Sequence, residues 1–325
     1  MSVDLTNKRI LFIGPVFHDY HSAIIGKLRD AGADVTFFPE RSYKLSFKLI
    51  NNLLPDQLAA YQEKHYRKIL QQTNGQHYDY LFVIRGFMLS QDFMDTFKKR
   101  YPGAQTIMYQ WDSNRANPFV HLIDSFDKVI SFDFEDCENH PSISYLPLFY
   151  TDDVKQVAEQ HREHIEFDFF FMGWYFPERY AAVARFKEYA IEKGWKLKAF
   201  LYIPRTSLIK EKLKGTKLDY SIVSSTHMPR TEYLDILSRS RVMVDVSNPR
   251  QTGLAMRVIE ALACGTKVLT NNRRLTEDKL HSSGYVAFFD DIAPVVETSF
   301  LHNVPEKQAI GVLAIGDWVK KIFEV

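Results

Sequence analysis

The chain has 325 residues, enough for two domains at about 150 residues each, and is 46% hydrophobic, 25% charged and 14% aromatic. That balance excludes a disordered, collagen-like or disulfide-scaffold chain. Forty-one Lys and Arg against 40 Asp and Glu leave a formal charge of +1, which speaks against a nucleic-acid binder while allowing a local basic patch.

Ile10–Ile13 reads as a buried strand, followed by Gly14-Pro15, a helix over His21–Ala31, a stop at Gly32 and a second strand at Asp34–Phe38. A continuous apolar strand, a glycine turn, an amphipathic helix and another strand make a βαβ unit, the signature of a parallel sheet covered on both faces. Residues 46–72 are polar and helical, broken at Pro55, and read as a surface insertion. Strands then recur at Tyr80–Ile84, Thr106–Gln110, Lys128–Phe132 and Ser144–Leu148, with a helix at Ser90–Arg100. Domain boundaries are expected at residue 151 for the first half, with 152–165 as a charged linker.

A second α/β series spans 166–306, with strands at Phe167–Met172, Lys196–Tyr202, Tyr220–Val223, Val242–Val246 and Lys267–Thr270. Its helices are read at Pro177–Lys193, Ser207–Lys214, Arg230–Arg239 and Leu254–Cys264, and a final helical stretch occupies 307–325. The fold class is therefore α/β, with two Rossmann-like domains whose strand ends face a central cleft, where open α/β sheets bind ligands.

Two cysteines, Cys137 and Cys264, make neither a disulfide framework nor a zinc site and fit a reducing compartment. The polar Met1–Arg9 and the short apolar run after it do not form a signal peptide, and no run approaches the roughly 20 residues of a membrane span. A cytoplasmic location is expected, and the inner face of the membrane is compatible with it.

The informative segment is Met243–Asn271, MVDVSNPRQTGLAMRVIEALACGTKVLTN. A buried strand enters a loop holding Gln251, Thr252 and Gly253; a helix then runs to Gly265, whose place suits a left-handed helix end. The start of such a helix offers unpaired N–H groups and a positive dipole end to phosphate oxygens. At 100° per residue, Arg257 and Glu260 share a stripe with Gly253. Arg257 suits a diphosphate and Glu260 a pair of ribose hydroxyls; the spacing equally fits an i,i+3 ion pair on a solvated face.

This segment resembles the donor-nucleotide segment of GT-B glycosyltransferases: a loop, Gly, a helix with an inward Glu, then Ala-x-Gly-x-x-Val-Leu-Thr. The resemblance implies that Glu260 holds the donor ribose and that Gln251-Thr252-Gly253 contacts sugar and diphosphate. It further implies that Gly173, after the first strand of the second domain, lies beside the diphosphate with Arg179 as the neutralising base. An Arg179 in solvent at a helix start is an equal alternative. The Arg three residues before the Glu resembles a bacterial branch making capsule, lipopolysaccharide and exopolysaccharide. Many retaining members carry a second Glu where this chain has Thr252, so retention of configuration does not carry over.

The implied activity is transfer from a nucleoside-diphosphate sugar to a glycan or lipid-linked acceptor, with no cofactor, no bound metal and no nucleic-acid partner, and with room for peripheral membrane association. A sugar-nucleotide epimerase or a degenerate binding subunit are the alternatives. In the first domain, Phe17, His18 and Asp19 follow one strand, Arg85 another, and Trp111 with Asp112 a third. His18, Asp19 and Asp112 are the candidate catalytic bases; Arg85, Trp111 and Phe17 are the candidate acceptor contacts. A helix-capping or turn role is the competing explanation for a lone loop Asp. His18/His21 and His161/His164 have i,i+3 spacing but lack a nearby third ligand.

Overall fold

A computed structural model describes residues 3–159, 164–277, 280, 283–303 and 310–324. It divides into two compact units, Met1–Leu148 with Ala314–Val325, and Phe149–Leu313.

The first unit is built on β1 (Arg9–Gly14), α1 (Tyr20–Asp30), β2 (Asp34–Pro39), α2 (Leu45–Leu53), α3 (Leu58–Gln72) and β3 (Tyr80–Ile84). It continues through α4 (Gln91–Arg100), β4 (Gln105–Gln110), β5 (Lys128–Ser131), α5 (Phe134–Asn139) and β6 (Ile143–Tyr145). All six strands are parallel, in the order β2-β1-β3-β4-β5-β6. Ile10–Ile13 and Leu81–Ile84 are wholly buried, as strands covered on both faces must be.

Residues 46–72 are not a surface appendage. They form the crossover from β2 to β3, and Tyr66, Ile69 and Leu70 of α3 pack into the core with Phe93 and Phe97. The polar look of α3 comes from its outward face, which hides a one-sided apolar stripe.

The second unit contains β7 (Phe149–Tyr150), α6 (Asp152–Glu159), β8 (Phe167–Trp174), α7 (Pro177–Glu192), β9 (Leu197–Tyr202), α8 (Arg205–Leu213) and β10 (Val223–Ser224). It continues with α9 (Arg230–Ser238), β11 (Ser240–Asp245), α10 (Met256–Ala263), β12 (Lys267–Thr270), β13 (Val286–Phe288) and α11 (Thr298–His302). Its parallel strands run β10-β9-β8-β11-β12-β13. The order reverses between β8 and β11, so the loops after these neighbouring strands diverge and leave a crevice at their carboxyl ends.

Several boundaries differ from the sequence expectation, two of them next to the Glu260 helix. The stretch 152–165 is not a bare linker: Asp152–Glu159 is a helix, because Val154 is fully buried and Asp153 is tied to Arg230. Residues 160–163, with His161, lie outside the described residues. Helix α10 starts at Met256 rather than Leu254, since Leu254 is buried as the chain enters and Ala255 takes the extended N-cap conformation. The last helix, α12 (Ile315–Phe323), belongs to the first unit, where buried Trp318 meets the Tyr109 ring edge-on at 4.7 Å. Residues 304–309, at the start of the stretch read as helical, lie outside the described residues.

Candidate functional site

The β8/β11 reversal gathers buried charge in the second unit. Strand β8 ends at Gly173-Trp174, and the first turn of α7 turns Arg179 inward rather than into solvent. Arg179 Nε donates to the Val246 carbonyl at 3.0 Å and Nη1 to the Trp174 carbonyl at 3.1 Å. From α10, Arg257 Nη2 reaches Asp245 Oδ1 at 2.7 Å and the same Val246 carbonyl at 2.8 Å. Asp245, the last residue of β11, is held from its other side by Thr270 Oγ1 at 2.6 Å.

Gly173 lies between the two guanidiniums: a Cβ there would sit 3.5 Å from Arg179 Nη1 and 3.6 Å from Arg257 Nη1. One carboxylate thus serves two cations, an imbalance expensive in a dry environment. Burial, reinforced by the Arg257 charge, pushes the Arg179 pKa down to about 9. Among the described residues the buried Arg257 Nε has no hydrogen-bond partner. An anion beside Gly173 would offset the excess of positive charge, and no side chain at Gly173 blocks its approach.

Glu260 is 2% exposed and does not pair with Arg257. Its carboxylate meets Arg230 Nη1 at 2.7 Å, and Arg230 also donates to Asp153 Oδ2 at 2.9 Å and Thr151 Oγ1 at 3.1 Å. The i,i+3 alternative for Arg257 and Glu260 is thereby replaced by two separate pairs, each reaching another element. Burial alone would raise the Asp153 pKa, but the bonds from Arg230 and Thr151 outweigh it and hold the carboxyl below its usual range.

The loop of Gln251, Thr252 and Gly253 is pinned from β12. Asn271 Oδ1 accepts from the Ser247 amide at 2.8 Å, and Asn272 Nδ2 donates to the Thr252 carbonyl at 2.9 Å. Gln251 closes a turn onto the Asn248 carbonyl at 2.9 Å. On the other side of β8, the His227 ring stacks on Tyr202 at 3.7 Å, and half-exposed Trp174 meets Tyr202 edge-on at 4.9 Å.

In the first unit the residues singled out from sequence follow β1, β3 and β4, three adjacent strands. Phe17, His18 and Asp19 are exposed; His18 and Asp19 have φ of 42° and 60°, a left-handed turn that Asp and His enter more readily than most residues with a side chain. Arg85, φ 64°, sits between two carboxylates, pairing with Glu40 and with Asp112 Oδ2 at 3.4 Å. Glu40 is wholly buried and also accepts from the Phe87 amide at 2.9 Å. Burial would lower the Arg85 pKa, yet Glu40 and then Asp112 raise it. Trp111 and Asp112 lead into a loop whose Asn114 amide donates to Asp136 Oδ2 at 2.9 Å. No group of three His, Cys, Asp or Glu among the described residues is arranged to hold a metal ion.

Sequence reasoning missed Asp245, Arg230, Glu40 and Asp136. Asp245 leaves a legible signal, an acid inside the buried run Met243-Val244-Asp245-Val246. The other three become visible only once the fold joins distant segments.

Residues 204–314 match the family model described as glycosyl transferase-like. No curated protein sequence matches the chain. Sucrose-phosphate synthase from Thermosynechococcus elongatus is similar in structure at 13% identity, covering 98% of this chain and 95% of that one, with a TM-score of 0.55. An alpha-glucosyltransferase in complex with UDP and a 13-mer DNA gives 15% identity, 87% of each chain and a TM-score of 0.55. The chain has the GT-B fold. The fold also occurs in UDP-GlcNAc 2-epimerase from Neisseria meningitidis bound to UDP-GlcNAc, at 9% identity, 90% and 89% coverage and a TM-score of 0.52.

Proposed function

We propose that this GT-B chain transfers a sugar from a nucleoside-diphosphate sugar, held by the second unit, to a saccharide or lipid-linked saccharide in cell-surface polysaccharide synthesis. The observation that carries the reading is the Arg179–Gly173–Arg257 arrangement, a buried and a partly buried cation with Asp245 as the nearby carboxylate at the strand-order reversal. The diphosphate binds there, Glu260 accepts from the ribose hydroxyls, and Gln251-Thr252-Gly253 borders the sugar. Tyr202, His227 and Trp174 offer ring faces for the base.

As the glycosidic bond to the diphosphate breaks, negative charge grows on the leaving oxygen. Arg179 and Arg257 stabilise that charge, and fixed cations in a water-poor site do so with little reorganisation. This supplies the role a divalent ion plays elsewhere, so activity is expected to survive EDTA. In the first unit Asp112 is the candidate base for the acceptor hydroxyl, steadied by Arg85, with His18 and Asp19 on the same sheet edge and Trp111 and Phe17 as acceptor surfaces. An acceptor anchored in lipid would bring the chain to the inner face of a membrane.

Incubation with a panel of nucleoside-diphosphate sugars tests the reading. Release of nucleoside diphosphate that rises with a saccharide or lipid-linked acceptor supports transfer. An isomerised sugar nucleotide without release would instead favour the epimerase reading, and binding with no reaction would favour the degenerate subunit.

A further inference from the structure

Helix α2 is inside out. Of its nine residues only Phe47 is buried, whereas Leu45 and Leu53 are 71% and 70% exposed, Leu49 is 51% exposed, and Leu54 just beyond is 49% exposed. Leu45, Leu49 and Leu53 follow i, i+4, i+8 spacing and lie on the side opposite Phe47, so the leucine ridge faces away from the core. A ridge of this kind costs solubility and marks a contact surface.

Beside it, between β2, α2 and α3, lies a cavity of about 760 Å³ whose charged lining is Arg41, Lys44, Lys64 and Lys68, with His65 and Tyr61. No Asp or Glu lines it. Six Lys or Arg and two Asp or Glu fall between residues 41 and 72, a local excess of four positive charges in a chain whose formal charge is only +1. Arg41 is steadied over the Tyr43, Phe47 and Phe87 rings at 5.5–5.6 Å.

We propose that α2 and the neighbouring basic cavity dock the protein on an anionic phospholipid bilayer. The leucine ridge enters the boundary between headgroups and acyl chains, and the cavity takes lipid phosphates, the arrangement by which interfacial helices bind. A second copy of the chain is a poorer occupant, because a two-fold contact would set the basic rim against itself. Nucleic acid would meet the basic residues but leave the leucines in water. The inference gives a surface to the membrane association suggested by a lipid-linked acceptor, and it is read without any sugar nucleotide.

Co-sedimentation of the full chain with vesicles tests it. Vesicles of phosphatidylcholine with phosphatidylglycerol should bind the protein, vesicles of phosphatidylcholine alone should not, and added salt should release it. Leu45→Ser/Leu49→Ser and Lys64→Glu/Lys68→Glu should each weaken binding by roughly tenfold or more, with thermal unfolding unchanged because these side chains are exposed. Absence of binding to anionic vesicles at low salt overturns the proposal. So does a dimer, seen by light scattering, that the leucine substitutions dissociate. Vesicle binding by a chain that fails to bind nucleoside diphosphates would leave this surface standing and overturn the donor site instead.

Discussion

Arg179 and Arg257 look equivalent beside Gly173, but their loss should have different consequences. Arg257 is the partner of nearly buried Asp245, so Arg257→Met strands a carboxylate and should cost roughly 3 kcal/mol of stability. Arg179 carries a charge that burial and Arg257 already disfavour. Arg179→Met should therefore cost the ligand-free protein less than Arg257→Met, while weakening diphosphate binding about 10- to 100-fold. Denaturant unfolding and calorimetric titration of both variants check this; equal stability losses would contradict the charge imbalance inferred at Gly173.

At the scale of elements, Asp136 on α5 shows how one carboxyl can fix a distant loop. It accepts from the Asn114 amide, two residues beyond Asp112, and burial followed by the neighbouring Asp133 pushes its pKa up to about 6. The folded state therefore holds a proton that the unfolded chain has released between about pH 4 and 6, and stability from this group falls as pH rises through that window. Asp136→Asn keeps an acceptor and removes the charge. Relative to the parent, it should gain about 2 kcal/mol of stability on going from about pH 4 to about pH 8, measured by denaturant unfolding. A pH-independent difference would contradict the assignment.

The elements most legible in the sequence were those whose residues meet one demand. Ile10–Ile13 and Met243–Val246 are buried on both faces, the first a continuous apolar run and the second interrupted only by Asp245. Strand β10 has only two residues and shifted to Val223–Ser224 from the expected Tyr220–Val223, since so short a run has no periodicity to read. Likewise β6 covers Ile143–Tyr145 rather than Ser144–Leu148. The placement of the candidate residues Arg257, Glu260, Gly173 and Arg179 near the carboxyl ends of β8 and β11 was legible from strand-turn-helix order. Their partners were not: Glu260 depends on Arg230, thirty positions away, and Arg85 on Glu40, which follows β2, a strand separated from β3 by β1.

For the whole molecule, the proposed reading gives the two units separable roles, and α12 completes the first unit. Trp318→Ala would empty a fully buried site against Tyr109 and should destabilise the first unit by about 3–5 kcal/mol. Nucleoside diphosphate binding under native conditions should be retained; its loss in a folded variant would contradict placing the donor site in the second unit alone. No helix among the described residues is long and apolar enough to cross a membrane.

The most direct measurement is a calorimetric titration of the parent chain and of Glu260→Gln with a nucleoside, its monophosphate and its diphosphate. The parent should bind the diphosphate most tightly, because Arg179 and Arg257 act on the second phosphate. Glu260→Gln should lose roughly tenfold or more for all three, because the ribose is common to them. A parent chain that binds the nucleoside and diphosphate equally, or a Glu260→Gln variant with unchanged affinity, would contradict the donor site.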